Sequence, residues 1–174
     1  MKPFPYAIWL MPRAEESLVL EKAICALSAR FGTPSFASHA TLCSGVWNME
    51  TSRLLDTVNR LTEILTSTEV QTTGVDWSDH WSTFFFLRLC DGSGLFPAEI
   101  FLPQGSHRPE MGPHISLMYC FDLVGLDRET LRTALAAQML STVRFDSLAL
   151  VRPSTGRWED VGSWEILHLV GLSG

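Results

Sequence analysis

The sequence predicts an α+β fold of two related lobes, with antiparallel sheets lining a central cleft and helices outside. Three observations predict it. Segments of strand character alternate with apolar stripes of helical spacing along the chain. The pattern His39-Ala40-Thr41-Leu42 recurs as His114-Ile115-Ser116-Leu117. Each copy is followed by a helical segment and then by two strands, with 75 residues between the two histidines (114 − 39). The repeat marks a pseudo-twofold duplication. No linker separates the halves, so residues 1–174 read as a single two-lobed domain.

Residues 6–11 are apolar and aromatic, which predicts a strand that Pro12 ends. From Ala14 a helix follows: Leu20, Ile24, Leu27 and Phe31 form one stripe. Glu15 and Glu16 suit the positive end of its dipole, and Gly32 and Pro34 suit its stop. The first motif then lies on a strand over residues 36–44. Leu54, Leu55, Val58, Leu61 and Leu65 mark a second helix, with Asn48 or Thr51 as its cap. Strands are predicted over 69–77 and 81–90, and the bulky run 83–87 predicts cover on both faces of the second. Residues 91–94 read as a turn, 97–102 as a short helix and 103–113 as a loop. The second motif lies on a strand over 113–121. Asp127 caps a third helix, with Leu126 and Leu131 as a hydrophobic staple. Strands over 143–151 and 163–172 close the chain around a polar connection holding Pro153, Gly156 and Gly162.

The formal net charge is −6, from 13 Lys+Arg against 19 Asp+Glu. That balance argues against tight binding of long nucleic acid, which needs many cation–phosphate contacts. It leaves room for a small anion held by local donors. No apolar run approaches the about 18 residues that cross a membrane. The first residues lack a signal-peptide layout, because Arg13, Glu15 and Glu16 interrupt the early apolar stretch. Cys25, Cys43, Cys90 and Cys120 show no paired spacing and read as free thiols. A cytoplasmic monomer without membrane contact is expected.

In a strand, residues two apart share a face. His39 and Thr41 therefore point one way, as do His114 and Ser116, while Ala40, Leu42, Ile115 and Leu117 point the other. Two such strands side by side would bring two imidazoles and two hydroxyls to one cleft. Imidazole titrates near neutrality and serves as either acid or base. The hydroxyls can donate to the oxygens of a phosphate as charge grows on them. That donor set needs no metal and no cofactor. Zinc held by His39, Cys43, His114 and Cys120 is the metal alternative, and its spacings fit no familiar zinc pattern. Half-buried structural histidines are the plain alternative for either motif alone, and Thr41 and Ser116 also suit a strand by propensity alone.

The paired H-x-[ST]-hydrophobic motif resembles that of the two-histidine phosphoesterases. Within them the chain resembles the cyclic phosphodiesterase family, through the opening Tyr6-Ala7-Ile8-Trp9-Leu10-Met11-Pro12 and through Tyr119 five residues after His114. The resemblance spans the whole chain. It implies His39 and His114 as catalytic, with His114 activating water and His39 protonating the leaving oxygen. Thr41 and Ser116 would bind phosphate. It implies nucleoside 2′,3′-cyclic phosphates or ADP-ribose 1″,2″-cyclic phosphate as substrates, with a 2′-phosphate product from the former. RNA 3′ ends and a non-catalytic nucleotide-binding role are the alternatives. Trp9 and Tyr119 would wall the base or sugar, with core packing as the alternative for each. An unbroken strand would turn Tyr119 away from His114, so the strand must end near Met118 or carry a bulge. His80, His107 and His168 read as solvated or capping. His107-Arg108 could reach a phosphate, but a solvated loop is expected there.

Overall fold

A computed structural model describes residues 3–90, 92, 94, 96 and 102–174. The chain runs β1 (Phe4–Pro12), α1 (Ala14–Phe31), β2 (Ala40–Trp47), α2 (Thr51–Leu61), β3 (Thr68–Trp77), β4 (Phe85–Leu89), β5 (His114–Met118), α3 (Arg128–Ala136), β6 (Thr142–Pro153) and β7 (Trp164–Gly171). Short 3₁₀ turns at Trp81–Thr83 and Val161–Ser163 precede β4 and β7. Every pairing between these strands is antiparallel, in the order β1-β2-β5-β4-β3-β6-β7. A further pairing of β1 with β6 closes the first six strands into a ring. The expected sheets are thus one sheet, folded into two lobes.

β6 makes this closure possible by its length. Thr142 to Phe145 pair with β3, while Phe145 to Val151 pair with β1 and the far end pairs with β7. The thinnest join is between β2 and β5, where Ala40 pairs with Ile115. Helix α1 packs on β1 and β5, α2 on β6 and β7, and α3 on β3. Its buried stripe, Leu20, Ala23, Ile24 and Leu27, carries α1 onto the sheet, and Gly32 ends it in a left-handed turn at φ 68°. Phe84, Phe85, Phe86 and Leu87 are all fully buried, as the bulky run predicts.

Several boundaries differ from the sequence expectation. β2 begins at Ala40, not at residue 36, because α1 holds the preceding segment. The Ser38 amide and hydroxyl donate to Glu21 Oε1, and the Ser38 hydroxyl also contacts Ser17 Oγ. Trp81 lies in a 3₁₀ turn rather than in β4, since His80 Nδ1 accepts from the Ser82 amide and curls the chain. Glu50, not Asn48 or Thr51, stands at the start of α2, and it makes no side-chain cap. Leu65 lies beyond that helix yet stays buried. Asp127 does cap α3, accepting from the Thr130 amide at 3.0 Å. The expected turn over 91–94 falls partly, and the short helix over 97–102 almost wholly, outside the described residues. Phe85 pairs with Met118 and Arg88 with His114, so Cys120 and Cys90 flank opposite ends of the β4–β5 pair; both are free thiols. No described helix is long and apolar enough to cross a membrane.

Phe85 is fully buried between β3 and β5. Phe85→Ala is expected to destabilise the fold by about 3–5 kcal/mol, through lost burial and the cavity left behind. A urea titration reads this as a lower midpoint at unchanged slope.

Candidate active site

The pairing of Ala40 with Ile115 is antiparallel. Extended by one residue each way, that register sets Thr41 across from His114 and His39 across from Ser116. The four motif side chains therefore form a two-by-two array on one face. The opposite face is core: Ala40, Leu42, Ile115 and Leu117 are at most 1% exposed. Each histidine opens or directly precedes its strand, at the point where the lobes meet.

Both rings are held the same way. His39 Nδ1 lies 2.7 Å from the Ala37 carbonyl oxygen, and His114 Nδ1 lies 2.8 Å from that of Gly112. A carbonyl can only accept, so each Nδ1 carries the hydrogen and each neutral ring keeps its Nε2 lone pair for the cleft. Trp9 stacks on His39 with centroids 3.6 Å apart and planes 9° apart, and Phe86 meets His114 edge-on at 5.3 Å. Burial pushes the His39 pKa down to about 4, against the Ala37 hydrogen bond and helped by His114. Burial also lowers that of His114, against the Gly112 hydrogen bond and helped by Arg88. Both shifts favour the neutral imidazole at pH 7. An anion placed between them would favour the protonated forms.

The hydroxyls are less alike than the motif implies. Thr41 Oγ1 has no hydrogen-bond partner among the described residues and is half-buried at the cleft wall. Ser116 Oγ donates to the Ser82 carbonyl oxygen at 2.9 Å, so it must turn to donate to a ligand. Tyr119 follows the end of β5 and lines the cleft, which meets the condition set by its odd spacing from His114. Its hydroxyl is 3.5 Å from His39 Nε2, a long contact. Burial pushes its pKa up to about 12, against a hydrogen bond with Ser116, so it remains a phenol.

His39, Thr41, His114 and Ser116 converge on one cleft of about 190 Å³, with Trp9 and Tyr119 in its wall. Trp9 is only 6% exposed and also stacks on Trp164 at 5.5 Å; its ring backs His39. The half-buried aromatics at the mouth are Trp81, Trp158 and Trp164, which the sequence reading passed over. Trp158, in a polar, Pro- and Gly-containing connection, was the available signal. His107 and Arg108 are exposed, as a solvated loop requires, and Arg108 also lines the cleft. The backbone explains it: Ser44 N donates to His107 O at 2.9 Å and His107 N to Ser44 O at 2.7 Å, pinning the loop to β2. The zinc set does not assemble, since no cluster of three or more His, Cys, Asp or Glu fit for a metal occurs among the described residues. Cys43 is a buried free thiol whose pKa burial raises to about 12. His80 caps the turn before β4, and His168 Nε2 lies 3.1 Å from Asn59 Oδ1.

No protein-family model matches the chain, and no curated protein matches it. Solved structures match it over its full length. E. coli LigT complexed with NADP+ matches with a TM-score of 0.56 at 13% identity, covering 100% of both chains. E. coli LigT complexed with ATP gives 0.55 at 13%, again covering 100% of both. A protein described as a phosphoesterase gives 0.55 at 12%, covering 99% of this chain and 100% of the other. The chain has the two-histidine phosphoesterase fold.

The buried imidazoles make stability depend on pH. Their folded pKa values lie below the unfolded value of about 6.5, so the unfolded chain binds the extra protons in that window. Their contribution is complete above about pH 6.5 and is lost as the pH falls toward 4. For His39 the loss approaches about 3 kcal/mol. Urea midpoints measured across this range are expected to fall on acidification, and to fall less in His39→Gln.

Proposed function

We propose that the chain, on the fold it shares with LigT, hydrolyses small cyclic phosphodiesters by two-histidine acid–base catalysis without a metal. The observation that carries this reading is the mirrored pair of imidazoles, each pinned at Nδ1 by a backbone carbonyl and each offering Nε2 to one cleft. Nucleoside 2′,3′-cyclic phosphates and ADP-ribose 1″,2″-cyclic phosphate are the substrates it suits. LigT, which shares the fold, has been solved in complex with ATP and with NADP+, and a nucleotide-derived substrate accords with that.

His114 acts as the base and His39 as the acid. Burial, with Arg88 adding to it, lowers the pKa of His114 and favours its neutral form, as burial does still more strongly for His39. The assignment of roles therefore rests on what the bound phosphate does at His39. The Trp9 face against His39 stabilises an imidazolium once the phosphate supplies the counter-charge that burial otherwise denies it. Water attacks phosphorus as His114 Nε2 takes its proton. The phosphorus bond to the 3′ oxygen breaks as His39 Nε2–H protonates that oxygen, leaving the 2′-phosphate. Thr41 donates to the phosphoryl oxygens, joined by Ser116 after it leaves Ser82.

Purified protein treated with EDTA should convert 2′,3′-cyclic AMP to a single monophosphate. His39→Ala and His114→Ala should each keep less than about a tenth of that rate with unchanged circular dichroism. Turnover that stops in EDTA and returns with a metal would sink the reading. An oligonucleotide with the same terminus turned over far faster would move it to RNA ends. Thr41→Ala should cost about 10²-fold, and Ser116→Ala less, because its hydroxyl starts committed elsewhere.

Rate should follow a bell-shaped pH profile. The maximum of kcat/KM is expected below about pH 6.5, since the free rings have lowered pKa values. The maximum of kcat should lie at higher pH, because bound phosphate raises both.

A further inference from the structure

The catalytic cleft opens into a second hollow of about 440 Å³, and Ser44 and Trp158 line both. Gly45, Val46, Gly105 and His107 complete it. Gly45 allows a close approach of Trp47 and the Gly105 backbone beside the hollow. A Cβ on Gly45 would lie 2.8 Å from the Gly105 carbonyl oxygen and closer still to the Trp47 indole.

The charges here oppose those of the whole chain. Net charge is −6, yet no Asp or Glu lines the cleft or the hollow among the described residues. Arg108 is the charged side chain in the cleft wall, next to His107 in the hollow. The reciprocal Ser44–His107 backbone bonds fix this loop, and Arg108 Nη1 donates to the Phe96 carbonyl at 3.3 Å. A phosphate between the histidines already meets Nε2 of each ring and the Thr41 hydroxyl. A cation in the same wall suits a second anionic group on the same substrate.

We infer that Arg108, with His107 and the hollow walled by Ser44 and Trp158, is a second anion subsite for a phosphate or diphosphate on the 5′ side of a nucleoside cyclic phosphate. The inference rests on the phosphodiesterase reading for the position of the cyclic phosphate. The sugar would lie along Trp158, whose face can pack on it, and the 5′ substituent would reach the guanidinium. The subsite thus selects 5′-phosphorylated or diphosphate-linked substrates over simple nucleoside cyclic phosphates.

The test compares kcat/KM for adenosine 5′-phosphate 2′,3′-cyclic phosphate with that for adenosine 2′,3′-cyclic phosphate. The wild type should favour the former by at least about tenfold, the ratio one charge-assisted contact supplies. In Arg108→Gln, which keeps a donor for the Phe96 carbonyl, the ratio should fall to near one. Arg108→Ala should do the same, and Arg108→Lys should fall between. No preference in the wild type, or a ratio unchanged in folded Arg108→Gln, would overturn the inference; an equal loss on both substrates would place Arg108 on the scissile phosphate instead. If neither compound is hydrolysed, the phosphodiesterase reading fails and calorimetry decides the subsite alone. Adenosine 5′-phosphate should then bind at least about tenfold tighter than adenosine, and Arg108→Gln should erase that margin. Equal binding of the two would overturn it.

Discussion

One backbone pairing, Ala40 with Ile115, joins the strand of the first motif to that of the second. The rest of the sheet closes around the other side, through β1, β6, β3 and β4. Because this contact is antiparallel, it relates the two motifs by an approximate twofold rotation. Two histidines distant in sequence thereby come to matching positions. The narrowness of the join is what makes a cleft. A long β2–β5 ladder would bury the motif face in a continuous sheet, whereas one pair leaves the strands free to diverge on either side.

The site's electrostatics follow from that placement. Rings at the meeting of two lobes are buried, and burial penalises their charged forms. A carbonyl bound to each Nδ1 settles the tautomer without adding a formal charge. The outcome is two neutral, oriented bases facing one cleft. The negative charge needed to protonate one of them must come with the ligand. That couples protonation to binding, which the proposed acid and base roles of two similar rings require. Asymmetry enters through their neighbours: Trp9 stacked on one, Arg88 beside the other, and a serine hydroxyl already engaged by Ser82 where the threonine hydroxyl has no such partner.

The aromatic wall shows a division of labour. Trp9 is packed between ring systems and works on His39 from behind. Trp81, Trp158 and Trp164 stand at the mouth: Trp81 in a 3₁₀ turn, Trp158 in the segment leading into the second, and Trp164 at the first residue of β7. Arg108 sits on a loop that joins β2 by a single reciprocal backbone pair. The four motif residues thus sit on or next to the two pairing strands, while most of the cleft's surroundings sit on the connections.

The sequence by itself determined the α+β class, most strands, the three helices and the four motif residues. Periodicity and capping are local properties, and His39 with Thr41, or His114 with Ser116, share a face by strand geometry alone. It also determined that Tyr119 could reach the cleft only if β5 ended early, and β5 ends at Met118. Only the tertiary structure decided that the sheets are one, that β2 starts late because Glu21 and Ser17 hold Ser38, and that Arg108 faces the cleft. It also decided which hydroxyl is engaged. Each of these depends on contacts between segments far apart in the chain. Neither residue type nor spacing encodes such a contact, because it exists only once β2 and β5 have met.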